Sequence, residues 1–73
     1  MLFNSEQIAF LRSLGLNYNF EGMTGKNITM DEGVHIEDAV GDKYNYEVQN
    51  TNERTPVILM CEKILDILAN DVD

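Results

Sequence analysis

Apolar residues recur at helical spacing in three stretches of the chain, and each stretch opens on a capping signal. In the first, Ile8, Phe10, Leu11 and Leu14 fall on one side of a helix of 3.6 residues per turn. Asn4 stands where an N-cap is needed, with Gln7 three residues later to complete a capping box. Phe3 and Ile8 have the spacing of a hydrophobic staple across that start. Gly15 is placed to end the helix in the left-handed conformation, with Leu16 reaching back to Leu11. The pattern predicts a helix over about 5–14.

The second stretch begins at Thr29, whose partner in a capping box is Glu32. Ile36, Val40 and Tyr44 follow at intervals of four, flanked by Ala39 and Val48, and predict a helix over about 30–47. Gly33 and Gly41 each weaken it by roughly 1 kcal/mol relative to Ala. Its end is ambiguous, because Tyr44, Tyr46 and Val48 also alternate as a strand would. The third stretch opens with Thr55 as N-cap and Pro56 at the first helical position. Val57, Met60, Cys61, Ile64, Leu65, Ile67 and Leu68 then cover nearly half the circumference of a helix. One neighbour needs an apolar stripe of only about 100°. This helix is therefore expected to be central or to self-associate, with Leu59 on its polar side. Residues 70–73 read as a frayed acidic tail.

Between the first two helices the pattern loses its helical period. Leu16, Tyr18 and Phe20 alternate with Asn17 and Asn19, which suits a short strand, and two glycines follow in 21–25. A lone two-stranded hairpin is marginal in water, so an irregular connection is the favoured reading of 16–28. The expected fold is a mainly α, single three-helix domain; the alternative is α+β with a short hairpin at about 16–30.

Composition agrees with a folded domain: of 73 residues, 44% are apolar and 25% charged. Charge changes the picture more. Thirteen acidic residues face five basic ones, for a net charge of −8, and residues 1–30 sum to zero. The whole deficit lies in 31–73. A surface this negative repels nucleic acid and anionic membranes, so neither is expected as a direct partner. The longest purely apolar run is 57–61, far short of a membrane span, and 1–6 lack the basic start of a secretory signal. A cytoplasmic location is the expectation.

On the second helix Asp31, Asp38 and Asp42 project to one stripe opposite Val40, with His35 among them. Asp38 and Asp42 stand about 6 Å apart along the axis. Such a row, with Glu32 beside it, offers anionic points to the Lys and Arg side chains of a protein that normally grips phosphates. A solvated helix face has the same composition, but solubility alone does not require charge to be segregated into one part of the chain.

Other chemistries fit less well. One Cys makes no internal disulfide, and one Cys with one His builds no structural zinc site. Asp31, His35, Asp38 and Asp42 match no calcium loop and spread over three turns. Cys61 lies mid-face among apolar residues, where free Cys behaves as a small hydrophobe, and His35 belongs to the polar side of another helix. Gly22, Gly25 and Lys26 have the wrong spacing for a phosphate loop. A helix-turn-helix needs basic groups where this chain has carboxylates. No enzyme, cofactor or metal is expected.

Three segments resemble a loose group of small proteins from Firmicutes and their phages and mobile elements. They are Leu11-Arg12-Ser13-Leu14-Gly15-Leu16, Ile36-Glu37-Asp38-Ala39-Val40-Gly41-Asp42 and Cys61-Glu62-Lys63-Ile64-Leu65-Asp66, and residues 17–25 depart from the pattern. The resemblance implies a small helical fold in a phage or mobile-element setting and carries no site residues. In size and surface charge the chain is also similar in kind to phage inhibitors that occupy the nucleic-acid groove of a host defence nuclease. The functional expectation is a protein-binding module with Asp31, Glu32, Asp38 and Asp42 as its partner-binding residues and a basic, nucleic-acid-binding protein as its partner. The alternative is a small structural or assembly subunit that self-associates through the apolar face of the third helix, so that the chain is a monomer or a homodimer.

Overall fold

The computed structural model describes residues 1–72. Three helices follow in order: α1 (Ser5–Ser13), α2 (Met30–Asn50) and α3 (Pro56–Asn70), with a short 3-10 turn at Phe20–Gly22. The fold is mainly α, and no strand occurs among the described residues.

Each helix begins at its sequence signal. The Asn4 side chain accepts from the Gln7 amide at 2.9 Å, and Gln7 Oε1 accepts from the Asn4 amide at 2.9 Å. Thr29 and Glu32 make the same reciprocal pair at the start of α2. Thr55 Oγ1 accepts from the Ile58 amide, with Pro56 at the first helical position. These contacts satisfy amides that would otherwise lack an intrahelical acceptor. α1 ends at Gly15, whose φ of 88° would strain any residue with a Cβ. The Gly15 and Leu16 amides donate back to the carbonyls of Arg12 and Leu11, the paired bonds of a Schellman ending.

The connection between α1 and α2 corrects the hairpin alternative. Leu16, Tyr18 and Phe20 alternate in sequence, but the backbone bends at Asn19 and enters the 3-10 turn. Leu16 and Phe20 both enter the core, as residues i and i+4 of a strand also would. The backbone bonds, however, are those of turns: the Phe20 amide donates to the Tyr18 carbonyl and the Met23 amide to the Phe20 carbonyl. Phe20 is wholly buried and meets Phe3 and Tyr18 edge-on, at centroid distances of 6.3 and 6.0 Å. A single helical turn follows, closed by the Ile28 amide on the Thr24 carbonyl. Thr24 and Asn27 cap that turn reciprocally through side chain and backbone.

α2 runs three residues past the end its sequence suggested, so Tyr44, Tyr46 and Val48 are helical. Residues 51–55 then reverse the chain, and α3 returns antiparallel to α2. Asn70 is helical and Asp71 caps α3, its amide donating to the Ile67 carbonyl at 2.8 Å. Of the expected frayed tail, then, Asn70 and Asp71 are ordered into the helix end; Asp73 lies outside the described residues.

One hydrophobic core joins all three helices. Phe3, Ile8, Leu11, Leu16, Phe20 and Met23 supply the N-terminal layer, and they meet Ile36 and Val40 of α2 and Cys61 and Ile64 of α3. The wide apolar face of α3 is explained by what it covers. By projection, Cys61 and Leu68 lie on one side of the face and Met60 and Ile67 on the other, and all four join or pack against this core. The molecule measures 37 × 20 × 18 Å, its long dimension set by α2 at about 31 Å. At one end the N-terminal layer covers the helical pair. Toward residues 51–55 the two helices run on alone, and Ile58 is buried there outside the main core.

Candidate functional site

The Thr29–Glu32 capping box fixes the phase of α2. With Ile36 and Val40 turned fully inward, Asp31, Asp38 and Asp42 emerge on the opposite side, all exposed. The structure separates the fourth expected residue from these three. Glu32 is half-buried and its carboxylate is held by the Thr29 amide at 2.8 Å, so it serves the helix end. Asp31 also sits in the first turn, where the partial positive charge of the helix start favours it.

The basic residues do not neutralise this face. Arg12 forks onto Glu21, with N–O distances of 2.7 and 2.8 Å, and its guanidinium lies 5.7 Å from the centre of the Phe20 ring. That bidentate contact ties α1 to the 3-10 turn, holds the Glu21 carboxyl down at about 2 and pushes the Arg12 guanidinium up. Arg54 pairs with Glu62 beside the 51–55 connection. Lys43 lies over the Tyr46 ring, 5.6 Å from its centre. No ion pair among the described residues uses a carboxylate of α2.

His35 is drawn away from the acids that surround it in projection. Its Nδ1 shares a hydrogen bond of 2.6 Å with the Tyr18 hydroxyl, and the two rings stand edge-on at 5.7 Å. It fastens the connecting segment to α2. Among the described residues no three His, Cys, Asp or Glu side chains converge as a metal site would require. Cys61 is wholly enclosed in the core, and burial pushes its thiol up, away from the reactive thiolate.

One component of this surface is not evident from the phase of α2 alone. Asp38 and Asp42 stand on the rim of a depression whose other walls include Glu37, Gly41, Tyr44 and Leu65. Glu37 also borders a second, more apolar depression floored by Ile28, Leu68 and Val72 and edged by Met30, Gly33 and Val34. The two share Glu37 and follow one another along α2 as a furrow bordered also by Leu65 and Leu68 of α3, and no residue of α1 lines either part. A signal for it was present: Met30, Val34, Glu37, Gly41 and Val48 repeat every three, four or seven residues along a flank of α2 beside the core stripe. No helix among the described residues is long and apolar enough to cross a membrane. No protein-family model, curated protein or solved structure matches the chain.

Proposed function

We propose that the chain is a non-enzymatic protein-binding module whose acidic α2 face engages a basic partner, and that it acts by competing with nucleic acid for that partner. One observation carries the reading: Asp31, Asp38 and Asp42 stand exposed along one stripe while every ion pair of the described residues is formed elsewhere. Carboxylates left free in this way keep their full field for an incoming cation. A groove that normally holds phosphates presents Lys and Arg in a row, and a row of carboxylates on a rigid helix is the complementary surface. The partner on this reading is a nucleic-acid-binding protein, such as a host defence nuclease met by a phage or mobile element.

The test is affinity capture of the partner, then binding of the purified pair across ionic strength with duplex DNA as competitor. Association is expected to be fast at low salt and to weaken steeply as the Debye length falls to about 8 Å near 0.15 M. Changing Asp31, Asp38 and Asp42 together to Asn weakens binding at least tenfold, about 1.4 kcal/mol. The matched control of Glu6→Gln, Glu53→Gln and Asp66→Asn removes equal charge from other exposed positions and leaves binding within about twofold. Equal losses from both triples would mean that only net charge matters, and DNA failing to compete would remove the mimicry.

A further inference from the structure

α2 carries two glycines in its interior that nothing in the folded chain uses. Neither Gly33 nor Gly41 has a positive φ, and a Cβ built on either meets no atom within 4 Å. Each therefore weakens the helix without making room for any neighbour in the monomer. Both line the furrow along α2. Beside them Met30 is 83% and Val34 54% exposed, while Leu65, Leu68 and Val72 add apolar lining from the C-terminal part of the chain. Among the described residues, the charged ones lining the furrow are Glu37, Asp38 and Asp42, with no Lys or Arg.

We propose that this furrow receives a basic amphipathic helix of the partner protein. The proposal rests on the reading of a basic protein partner and adds where and in what form it docks. Charge complementarity selects the occupant: an apolar floor with an acidic rim fits a helix whose apolar stripe is flanked by Lys and Arg. A second copy of this chain would set Glu37, Asp38 and Asp42 against the same three residues across a two-fold axis. The furrow's walls are helices with no strand edge to pair with, so an entering segment has to satisfy its own backbone, as a helix does. The two glycines lie eight residues apart, about 12 Å, and let that third helix approach α2 closely. From Met30 to Asn45 the furrow runs about 22 Å, matching about 15 residues, or four turns, of the incoming helix.

The probe is a 16-residue peptide of Leu and Lys with Leu at alternating three- and four-residue spacing, compared with a scrambled isomer of identical composition. At 0.15 M salt the amphipathic peptide is expected to bind the full chain at least tenfold more tightly than the isomer. Amide shifts should map to Gly33, Glu37, Gly41, Leu65 and Leu68. The double variant Gly33→Gln and Gly41→Gln fills the furrow with side chains that favour helix. Its melting temperature rises by about 4–8 °C or more, so its expected tenfold or greater loss of peptide binding cannot come from unfolding. Equal binding of the two peptides, weakened by the Asp31, Asp38 and Asp42 triple but not by the glycine pair, would overturn the furrow and leave the acidic face standing. Shifts confined to Tyr46, Val48 and Leu59 would overturn it as well. Failure of both peptides to bind would sink both readings. A dimer of the free chain whose interface maps to Gly33 and Gly41 would replace the partner helix with a second copy.

Discussion

Ile64 and Ile58 lie six residues apart on α3 and both are buried, yet their surroundings differ. Ile64 belongs to the core that Phe3, Leu11 and Phe20 build with Ile36, Val40 and Cys61. Ile58 stands outside that core, where Tyr44, Val48 and the residues of the turn are its neighbours. The same pair of helices is thus covered by a third layer at one end and bare at the other. Helix spacing and capping explain why α2 and α3 form along their whole length. They do not explain why one end should be firmer, which follows from how many layers share the apolar surface.

The largest expected effect tests that contrast directly. Phe20→Ala removes a ring with no exposed surface and costs about 3–5 kcal/mol, close to the whole stability of about 4–11 kcal/mol expected for a domain this size. Global unfolding in denaturant should follow for the entire chain. Ile58→Ala costs about 2 kcal/mol, at the low end for such a change, because a two-layer site relaxes more easily. Its signature is local: hydrogen exchange accelerates around residues 44–60 while Ile36, Val40 and Ile64 keep their protection. If both variants lose equal stability with uniform exchange, the two ends form one unit and the contrast fails.

A second test applies one substitution at two places and expects opposite signs. A Cβ at Gly25 would collide with the Asp71 carbonyl oxygen, which pins the connecting segment against the end of α3. Gly25→Ala should destabilise by about 1–3 kcal/mol, since backbone has to move to admit it. Gly41→Ala faces open space and should stabilise by about 1 kcal/mol. Thermal melts of the two variants settle both signs.

The smallest effect concerns the Arg12–Glu21 fork. The folded carboxyl titrates near 2, below the ordinary value of 4.5, so its contribution is present above about 4.5 and is lost as pH falls through 2. The stability difference between the native chain and Glu21→Gln should therefore be present at pH 6 and vanish near pH 2. Both groups are in water, and a difference that persists unchanged at pH 2 would show that the fork contributes nothing.

Helix starts were legible because capping is a local device: Asn4 with Gln7, Thr29 with Glu32, and Thr55 before Pro56 each act within one turn. The connection was less so. Leu16, Tyr18 and Phe20 have the alternation of a strand, and what decides against one is the backbone, which bonds locally in turns between Tyr18 and Met23. Thr24 and Asn27 do repeat the three-residue spacing of the true caps, a sign of the helical turn that composition alone obscured. Projection located the outward acids, since Asp31, Asp38 and Asp42 need only the phase of one helix. Glu32 was legible as the capping partner of Thr29, and its carboxylate accepts that hydrogen bond. The furrow needs two helices at once, and no single periodicity shows it.

The contact of Gly25 with Asp71 also implies an order in which the chain assembles. Closing residue 25 onto residue 71 from an open chain spans 46 residues, while residues 51–55 close α2 onto α3 over five. By the logarithmic dependence of loop entropy, the longer closure is harder by ~2 kcal/mol. Once the α2–α3 pair has formed, however, residue 30 lies beside the end of α3, and only a few residues separate it from Gly25. The long closure becomes a short one. Local pairing of α2 with α3 should thus precede docking of the N-terminal layer, and folding is expected to start at the thinly covered turn, where closure is easiest.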